Sequence, residues 1–395
     1  MTASPFPALF TTVADGRPAK LTARWRCWLW GVVAPMFAMF AAPVVGGDLE
    51  DKLAEICKTK DVPGIIAASV GPDGIIESAA SGVRKRGMNS AMASNDQFSL
   101  GSNSKSFTST LAAVLVDDDL IDWSTTISQV WPDQPVHARF KDVTLEQLLA
   151  HTGGLQGDLP AGSADWPSFF AERFPPEKER ARMCYLLLTK PPEGVVGKHA
   201  YSNLGYVLAS AMLEERGKKP FEQLMKDRVF KPLGMANTEF HSAKKLKLTK
   251  ELLWGHKSGG EPVKPGDLGS ENPTVYAGCG TIRTTVDDWA KYIRWHLNES
   301  ANPVLKVDAK LRQLHKGVAD GGAPGQSYGF GWIHFESPFG RTLQHAGNNT
   351  NQFSLVWVMP EKKRATLVIT NTGQEQAFAA CDAATVTLMS SPMFK

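Results

Sequence analysis

The chain has 395 residues, of which 43% are hydrophobic and 21% charged, and a formal net charge of +3. These values exclude wholesale disorder and allow a sizeable core in one to three domains. So small a charge, with no basic stripe interleaved with aromatics, gives no ground for a nucleic-acid partner, and none is expected.

The first 47 residues stand apart. Arg17, Lys20, Arg24 and Arg26 lead into an uncharged run from Cys27 to Gly47 that carries Trp28, Leu29, Val32, Val33, Met36, Phe37, Met39 and Phe40. A basic start, an apolar middle and a small-residue exit are the parts of a secretory signal. Cleavage is expected near Val45-Gly46-Gly47 or just after Ala41-Ala42. An uncleaved anchor is the competing reading, because the run is just long enough to span a bilayer; Pro35 and Pro43 count against it. The expected location is therefore periplasmic or extracellular, with membrane contact only if the segment stays attached. Cys27 would leave with it. Cys57, Cys184, Cys279 and Cys381 contain no CxxC pair, so no thiolate metal site is expected. An exported chain could bridge Cys57 to Cys381, both on terminal helices; four buried thiols is the alternative.

Asp48 to Lys60 reads as a helix, with Leu49, Leu53 and Ile56 on one face. Gly64 to Val70 and Ile75 to Ser81 read as strands joined by Pro72-Asp73-Gly74. After Gly101 the pattern predicts a helix over Lys105 to Asp117, with Phe107, Leu111 and Leu115 in register. Further helices are expected over Val143 to His151, capped by Thr144, and over Gly205 to Arg216, Phe221 to Val229 and Val286 to Leu297. Residues 255–280, rich in Gly, Pro, Ser and Lys, read as loop. Tyr328 to Phe335, Thr342 to His345, Phe353 to Met359 and Ala365 to Thr370 read as strands, and Gln374 to Met389 as a closing helix. Strands at both ends with helices between them predict an α+β layout. One antiparallel sheet would be built from residues 48–101 and 277–395, flanked by helices, with a mostly helical insert domain over 102–276.

Three short motifs could carry chemistry. In Ser102-Asn103-Ser104-Lys105, a serine and a lysine three apart on a helix face the same way. A serine hydroxyl needs a base, and a lysine can be one where burial disfavours its charge. The match alone is weak, since Ser-x-x-Lys arises about once by chance in a chain this long. Ser242 to Lys245 repeats it within a lysine-rich loop, with no apolar helix behind it. Tyr201-Ser202-Asn203 offers a phenol as a proton relay and an amide for a substrate carbonyl; the alternative is a packed tyrosine with Asn203 capping the next helix. His345-Ala346-Gly347, followed by Asn348, ends a strand whose edge N–H groups could face an acyl oxygen. Lys257-Ser258-Gly259 and Lys264-Pro265-Gly266 are poorer candidates, lying in the Gly/Pro loop where no strand alternates. There is no Gly-x-Ser-x-Gly elbow, HExxH or phosphate loop, and no cofactor or metal is expected.

In this order the motifs resemble the serine β-lactamase and penicillin-binding protein superfamily, and most of all its class C β-lactamase, DD-peptidase and esterase branch. LGSNSKSFTSTLAAVLVDDDLIDW, VTLEQLLAHTGGL, YSNLGYVLASAMLEE, PLGMANTEF, AGCGTIRTTVDDWAKYI and YGFGWI all look like segments of that family, from about residue 50 to 390. The resemblance implies the β-lactamase/transpeptidase-like fold and an acyl-enzyme on Ser102. Lys105 and Tyr201 would share the proton traffic and Asn203 would hold the substrate amide. His345 and Gly347 would line the site, and the backbone N–H groups of Ser102 and Asn348 would form the oxyanion hole. Family β-lactamases usually carry lysine at the position of His345, while histidine occurs in peptidase-, amidase- and esterase-like relatives. The resemblance therefore implies cleavage of a small ester, an amide or a peptidoglycan-like D-Ala peptide, rather than an efficient β-lactamase; export is expected from the N-terminal segment, and a monomer is expected. A class C-type β-lactamase and a non-catalytic penicillin-binding or scaffold module are the alternatives.

Overall fold

The hairpin near the start of the chain is spliced beside strands from its end. β1 (Gly64–Gly71) and β2 (Gly74–Gly82) pair antiparallel across the Pro72-Asp73 turn. β1 also pairs with β13 (Arg364–Thr370), from Ile65 opposite Thr370 to Val70 opposite Ala365. The computed structural model describes residues 49–394 apart from 160–164, 243–245, 247–248, 250–251, 258, 299–312 and 374. The N-terminal segment read as a signal or anchor, and Lys244 and Lys245 of the second Ser-x-x-Lys match, lie outside the described residues.

Between the hairpins come β3 (Phe98–Ser99), β4 (Glu239–Phe240), β5 (Gly255–His256), β6 (Pro262–Val263) and β7 (Ile282–Thr284). The C-terminal part adds β8 (Ala319–Asp320), β9 (Gln326–Gly329), β10 (Trp332–Ser337), β11 (Gly340–Asn348) and β12 (Phe353–Met359). The main sheet has eight strands in the order β2-β1-β13-β12-β11-β10-β9-β8, every pair antiparallel. This is an α+β fold built on one antiparallel sheet, as expected.

β1 is buried along its whole length, so both faces of the sheet centre are covered. Side chains alternate along a strand. Ile66, Ala68 and Val70 join the main core together with Leu367 and Ile369 of β13. The alternate face packs on the terminal helices Leu49–Thr59 and Glu375–Ser390, which also touch each other. Helix Val286–Leu297 packs on β1, β2, β12 and β13 and brings Trp289 and Ile293 into the main core.

Helix Ser104–Asp117 runs through the middle of the molecule, buried from Ser104 to Val116. Hydroxyls inside it must find partners, because an unpaired buried polar group costs about 1–3 kcal/mol. Thr108 donates to the Gly278 carbonyl (2.7 Å), Thr110 shares a hydrogen with the Tyr292 hydroxyl (2.9 Å), and Ser106 donates to the Asn103 carbonyl (2.9 Å).

Several elements differ from expectation for local reasons. Tyr328 to Phe335 is two strands, because Phe330 (φ 54°) and Gly331 (φ 83°) both turn left-handed and fold β9 back on β10. Residues 255–280 hold the β5–β6 hairpin and helical turns at Thr274–Tyr276 and Ala277–Gly280. The helix expected over Val143 to His151 is shorter, Leu145–Leu149; Thr144 does cap it, in a box with Gln147. The helix expected from Phe221 to Val229 passes into a π-helical turn at Lys226. The four described cysteines are all free, so Cys57 and Cys381 are not bridged. Among the described residues no helix is long and apolar enough to cross a membrane.

Candidate active site

Ser102 lies where the chain turns from β3 into the buried helix. Gly101, at φ 52°, makes this turn, and a Cβ there would lie 2.6 Å from the backbone nitrogen of Asn348. A 3₁₀ turn over Gly101–Asn103 then enters the helix at Ser104. The buried Asn103 amide donates to Ser354 Oγ of β12 (2.7 Å) and ties this turn to the sheet.

Lys105 follows one turn later with its side chain fully buried. Its Nζ donates to Ser102 Oγ (3.0 Å), Asn203 Oδ1 (2.6 Å) and the Cys279 carbonyl (3.3 Å). Nζ also lies 4.7 Å from the centre of the Tyr201 ring, a cation–π contact. The Tyr201 hydroxyl donates to Ser102 Oγ (2.9 Å). Serine, lysine, tyrosine and Asn203 therefore form one connected cluster.

Tyr201 and Asn203 are aimed by the start of helix Asn203–Gly217. Ser202, in extended backbone, caps that helix by accepting from Gly205 N (3.0 Å). Asn203 is thus the first helical residue and not the cap, which frees its amide for the cluster. Its Nδ2 donates to Asp158 Oδ1 (2.9 Å), an oxygen that also accepts from the Tyr276 hydroxyl (2.8 Å). Burial, and next the Asp158 charge, hold the Tyr276 hydroxyl well above the usual phenol range, so it stays a donor.

His151 packs against Tyr201, ring centres 4.4 Å apart, and its Nδ1 accepts from Ser202 N (3.1 Å). Burial, and then the Lys105 charge, keep this imidazole well below its ordinary pKa, so it is neutral. Neither His151 nor Asp158 was singled out by sequence. His151 read only as a helix end. The structure places it in left-handed backbone after the capped helix (φ 61°), unusual for a residue with a Cβ and not readable from the sequence.

β11 supplies the opposite wall. It runs past the expected end at His345 and reaches Asn348. Its pairing with β10 stops at Gln344, so its edge is open beyond that point. Asn349 and Gln352 exchange backbone hydrogen bonds (2.9 and 3.3 Å), which makes Asn348 and Phe353 the next, non-bonded pair. The Asn348 N–H consequently points away from β12, beside Gly101. Gly347 faces the Leu100 carbonyl so closely that a Cβ would collide with it, and would lie 2.8 Å from Ser354 Oγ. The Asn348 side chain turns away and donates to the Gly373 carbonyl (2.9 Å).

His345 is buried, with both ring nitrogens used by the scaffold. Nδ1 meets the Ala346 carbonyl at 2.7 Å, and a carbonyl only accepts, so Nδ1 carries the hydrogen. Nε2 then accepts from the Tyr328 hydroxyl (3.2 Å). Burial, and then Lys105, push the imidazole down to about 3. At neutral pH it is an uncharged wall of the site. All seven residues expected from the sequence thus gather around Ser102. Ser102, Lys105, Tyr201 and Asn203 bond to one another, Gly347 and Asn348 pack on the Ser102 turn, and His345 faces Tyr201 at a ring distance of 6.4 Å.

Known proteins resemble this chain over most of its length. Penicillin-binding protein 4 of Amycolatopsis lactamdurans is 26% identical over 326 residues, covering 80% of this chain and 83% of its own. Unguisins hydrolase UngD of Aspergillus violaceofuscus is 24% identical over 268 residues, 65% of this chain and 46% of its own. The chain spans about half the length of several of the curated relatives it matches. The octameric penicillin-binding protein homologue from Pyrococcus abyssi superposes with a TM-score of 0.70 at 20% identity, over 88% of this chain and 78% of that one. Residues 49–388 match the family model described as Beta-lactamase, and the chain belongs to that family, whose members are serine hydrolases.

Proposed function

We propose that the protein is a serine hydrolase that cleaves esters or amides, including D-Ala-type peptide bonds, through an acyl-enzyme on Ser102. The observation that carries this is the double contact on Ser102 Oγ, from Lys105 Nζ at 3.0 Å and Tyr201 OH at 2.9 Å. The pair first gives one proton to solvent, so that the Lys105 ammonium faces a Tyr201 oxygen without its hydrogen; as Oγ bonds to the substrate carbonyl carbon, the serine proton passes to that oxygen. The carbonyl oxygen gathers negative charge and is met by the N–H groups of Ser102 and Asn348. Tyr201 returns the proton to the leaving alkoxide or amine as the C–O or C–N bond breaks. Water then attacks the acyl ester, gives its proton to the same pair, and Ser102 recovers its hydrogen. Asn203, with one Nδ2 hydrogen on Asp158, has its second for the substrate.

The neutral wall supports an ester, an amide or an internal peptide bond over a β-lactam or a free C-terminal carboxylate. An efficient β-lactamase of this kind needs a fixed cation for the substrate carboxylate. Among the described residues Lys105 is the cation at the cluster, and it is already engaged by Ser102, Asn203 and the Cys279 carbonyl. We further propose export, on the strength of the basic and then apolar N-terminal segment.

The test is a panel of a short-chain nitrophenyl ester, a chromogenic cephalosporin and a D-Ala-D-Ala peptide, each with a Ser102→Ala control. The ester is expected to turn over fastest, and Ser102→Ala to lose ~10³-fold or more in kcat/KM. Fast cephalosporin cleavage with the ester untouched would reverse the preference. The absence of any fluorophosphonate or penicillin adduct on Ser102 by intact mass would favour a non-catalytic binding module.

A further inference from the structure

Two different walls flank the Ser102–Lys105 pair. On the Tyr201 side stand His151, Tyr328 and His345, all within ring-contact distance of Tyr201. These groups are uncharged at neutral pH: burial holds both imidazoles well below their ordinary pKa and the Tyr328 phenol well above its own. On the Asn203 side stands Asp158, a half-buried carboxylate. Its Oδ1 is filled by Asn203 and Tyr276. A carboxylate has about four acceptor positions, and among the described residues no donor is placed on Oδ2. Trp166 packs on Tyr276, ring centres 5.4 Å apart, so aromatic surface borders the carboxylate. A carboxylate beside aromatic rings suits an organic ammonium.

The chemistry sets which end of the substrate meets which wall. Tyr201 protonates the leaving group, so that group faces the neutral wall. The acyl part then faces Asn203 and Asp158. We propose that Asp158 is a specificity-determining residue that selects acyl groups carrying a protonated amine close to the scissile carbonyl, as in an α-amino ester or amide with a free amino terminus. This rests on the acyl-enzyme reading of Ser102. Among the described residues the cation in the cluster is Lys105, which hydrogen-bonds the Asn203 amide oxygen while Asp158 takes the amide nitrogen. The neighbouring Gln156 amide meets another carboxylate, Glu193, at 3.0 Å once its oxygen and nitrogen are assigned to suit both groups. The rim on this side is therefore acidic.

The test compares alanine benzyl ester with N-acetylalanine benzyl ester, each in both configurations, near pH 6.5 where the free amine is protonated. Released benzyl alcohol is the readout. The wild-type chain is expected to favour the free amine by ~10-fold or more in kcat/KM. Asp158→Asn keeps an oxygen able to accept from Asn203 and Tyr276 but removes the charge, and is expected to bring the ratio within ~3-fold of unity, chiefly through KM. A wild-type enzyme indifferent to acetylation, or preferring the acetylated ester, overturns the proposal even if no variant folds. So does an Asp158→Asn enzyme that loses both substrates in parallel with the ratio unchanged, which marks a merely structural role. If neither ester is cleaved and Ser102 takes no fluorophosphonate, the hydrolase reading falls and this one with it.

Discussion

Ser102 holds two hydrogen-bond partners of different chemistry, and their contributions can be separated residue by residue. Lys105 is buried and has three acceptors, so truncating it leaves both a cavity and orphaned polar groups. Tyr201 is the cleaner probe. Its ring packs on His151 and lies over Lys105, while only its hydroxyl reaches Ser102. Tyr201→Phe keeps the packing and removes the relay. We expect kcat to fall by ~10²- to 10³-fold, with KM and the thermal midpoint little changed. Steady-state kinetics beside a melting curve check this, and a large drop in midpoint would make the hydroxyl structural. At this scale the sequence was informative where motifs are local. Ser102 and Lys105 are linked by helical periodicity, and Tyr201 and Asn203 by adjacency. It was silent on Asp158 and Tyr276, because contacts over separations of 45 and 118 residues leave no spacing to read. His345 was found, but its tautomer and neutrality arise from Tyr328 and from burial, which only the folded chain supplies.

Between elements, the site depends on two backbones meeting without side chains. The turn at Leu100–Gly101 and the end of β11 touch through Gly101 and Gly347, and this contact sets the Asn348 N–H beside Gly101, the residue before Ser102. Gly347→Ala would drive a methyl into the Leu100 carbonyl oxygen, which is backbone and cannot swing aside. β11 must shift, at a cost of about 1–3 kcal/mol. We expect a lower urea midpoint together with a fall in kcat of ~10-fold or more, because the N–H donors lose their aim. A stable, fully active Gly347→Ala protein would show that the approach is looser than the backbone indicates. The helices and the outer strands were legible as periodic runs. What escaped were breaks set by left-handed residues, as at Phe330–Gly331, and the continuation of β11 to Asn348, where pairing with β12 overrides a polar, glycine-containing stretch of low strand propensity.

Across the whole molecule, burial of histidine couples folding to pH. His296 and His345 are pushed down to about 3 and His334 to about 4, with burial the first cause each time. His151 and His315 are also held well below their ordinary pKa, again chiefly by burial. His296 and His315 face each other, Nδ1 to Nε2 at 2.9 Å, a contact that needs one bare nitrogen and one N–H. In the unfolded chain these groups take up a proton near pH 6.5. In the folded chain His296, His345 and His334 resist it until about pH 4 or below. The unfolded state therefore binds more protons throughout that window, and stability must fall as pH drops through it. Above about pH 7 neither state is protonated and the contribution is complete. Each such histidine weakens the fold by up to ~1.4 kcal/mol per pH unit below 6.5. Urea midpoints measured from pH 8 to 4.5 should be flat at the upper end and decline steeply below 6.5. A midpoint that holds level down to pH 4.5 would mean that the buried imidazoles already carry protons in the native state, and with them the site wall at His345 would be a cation after all.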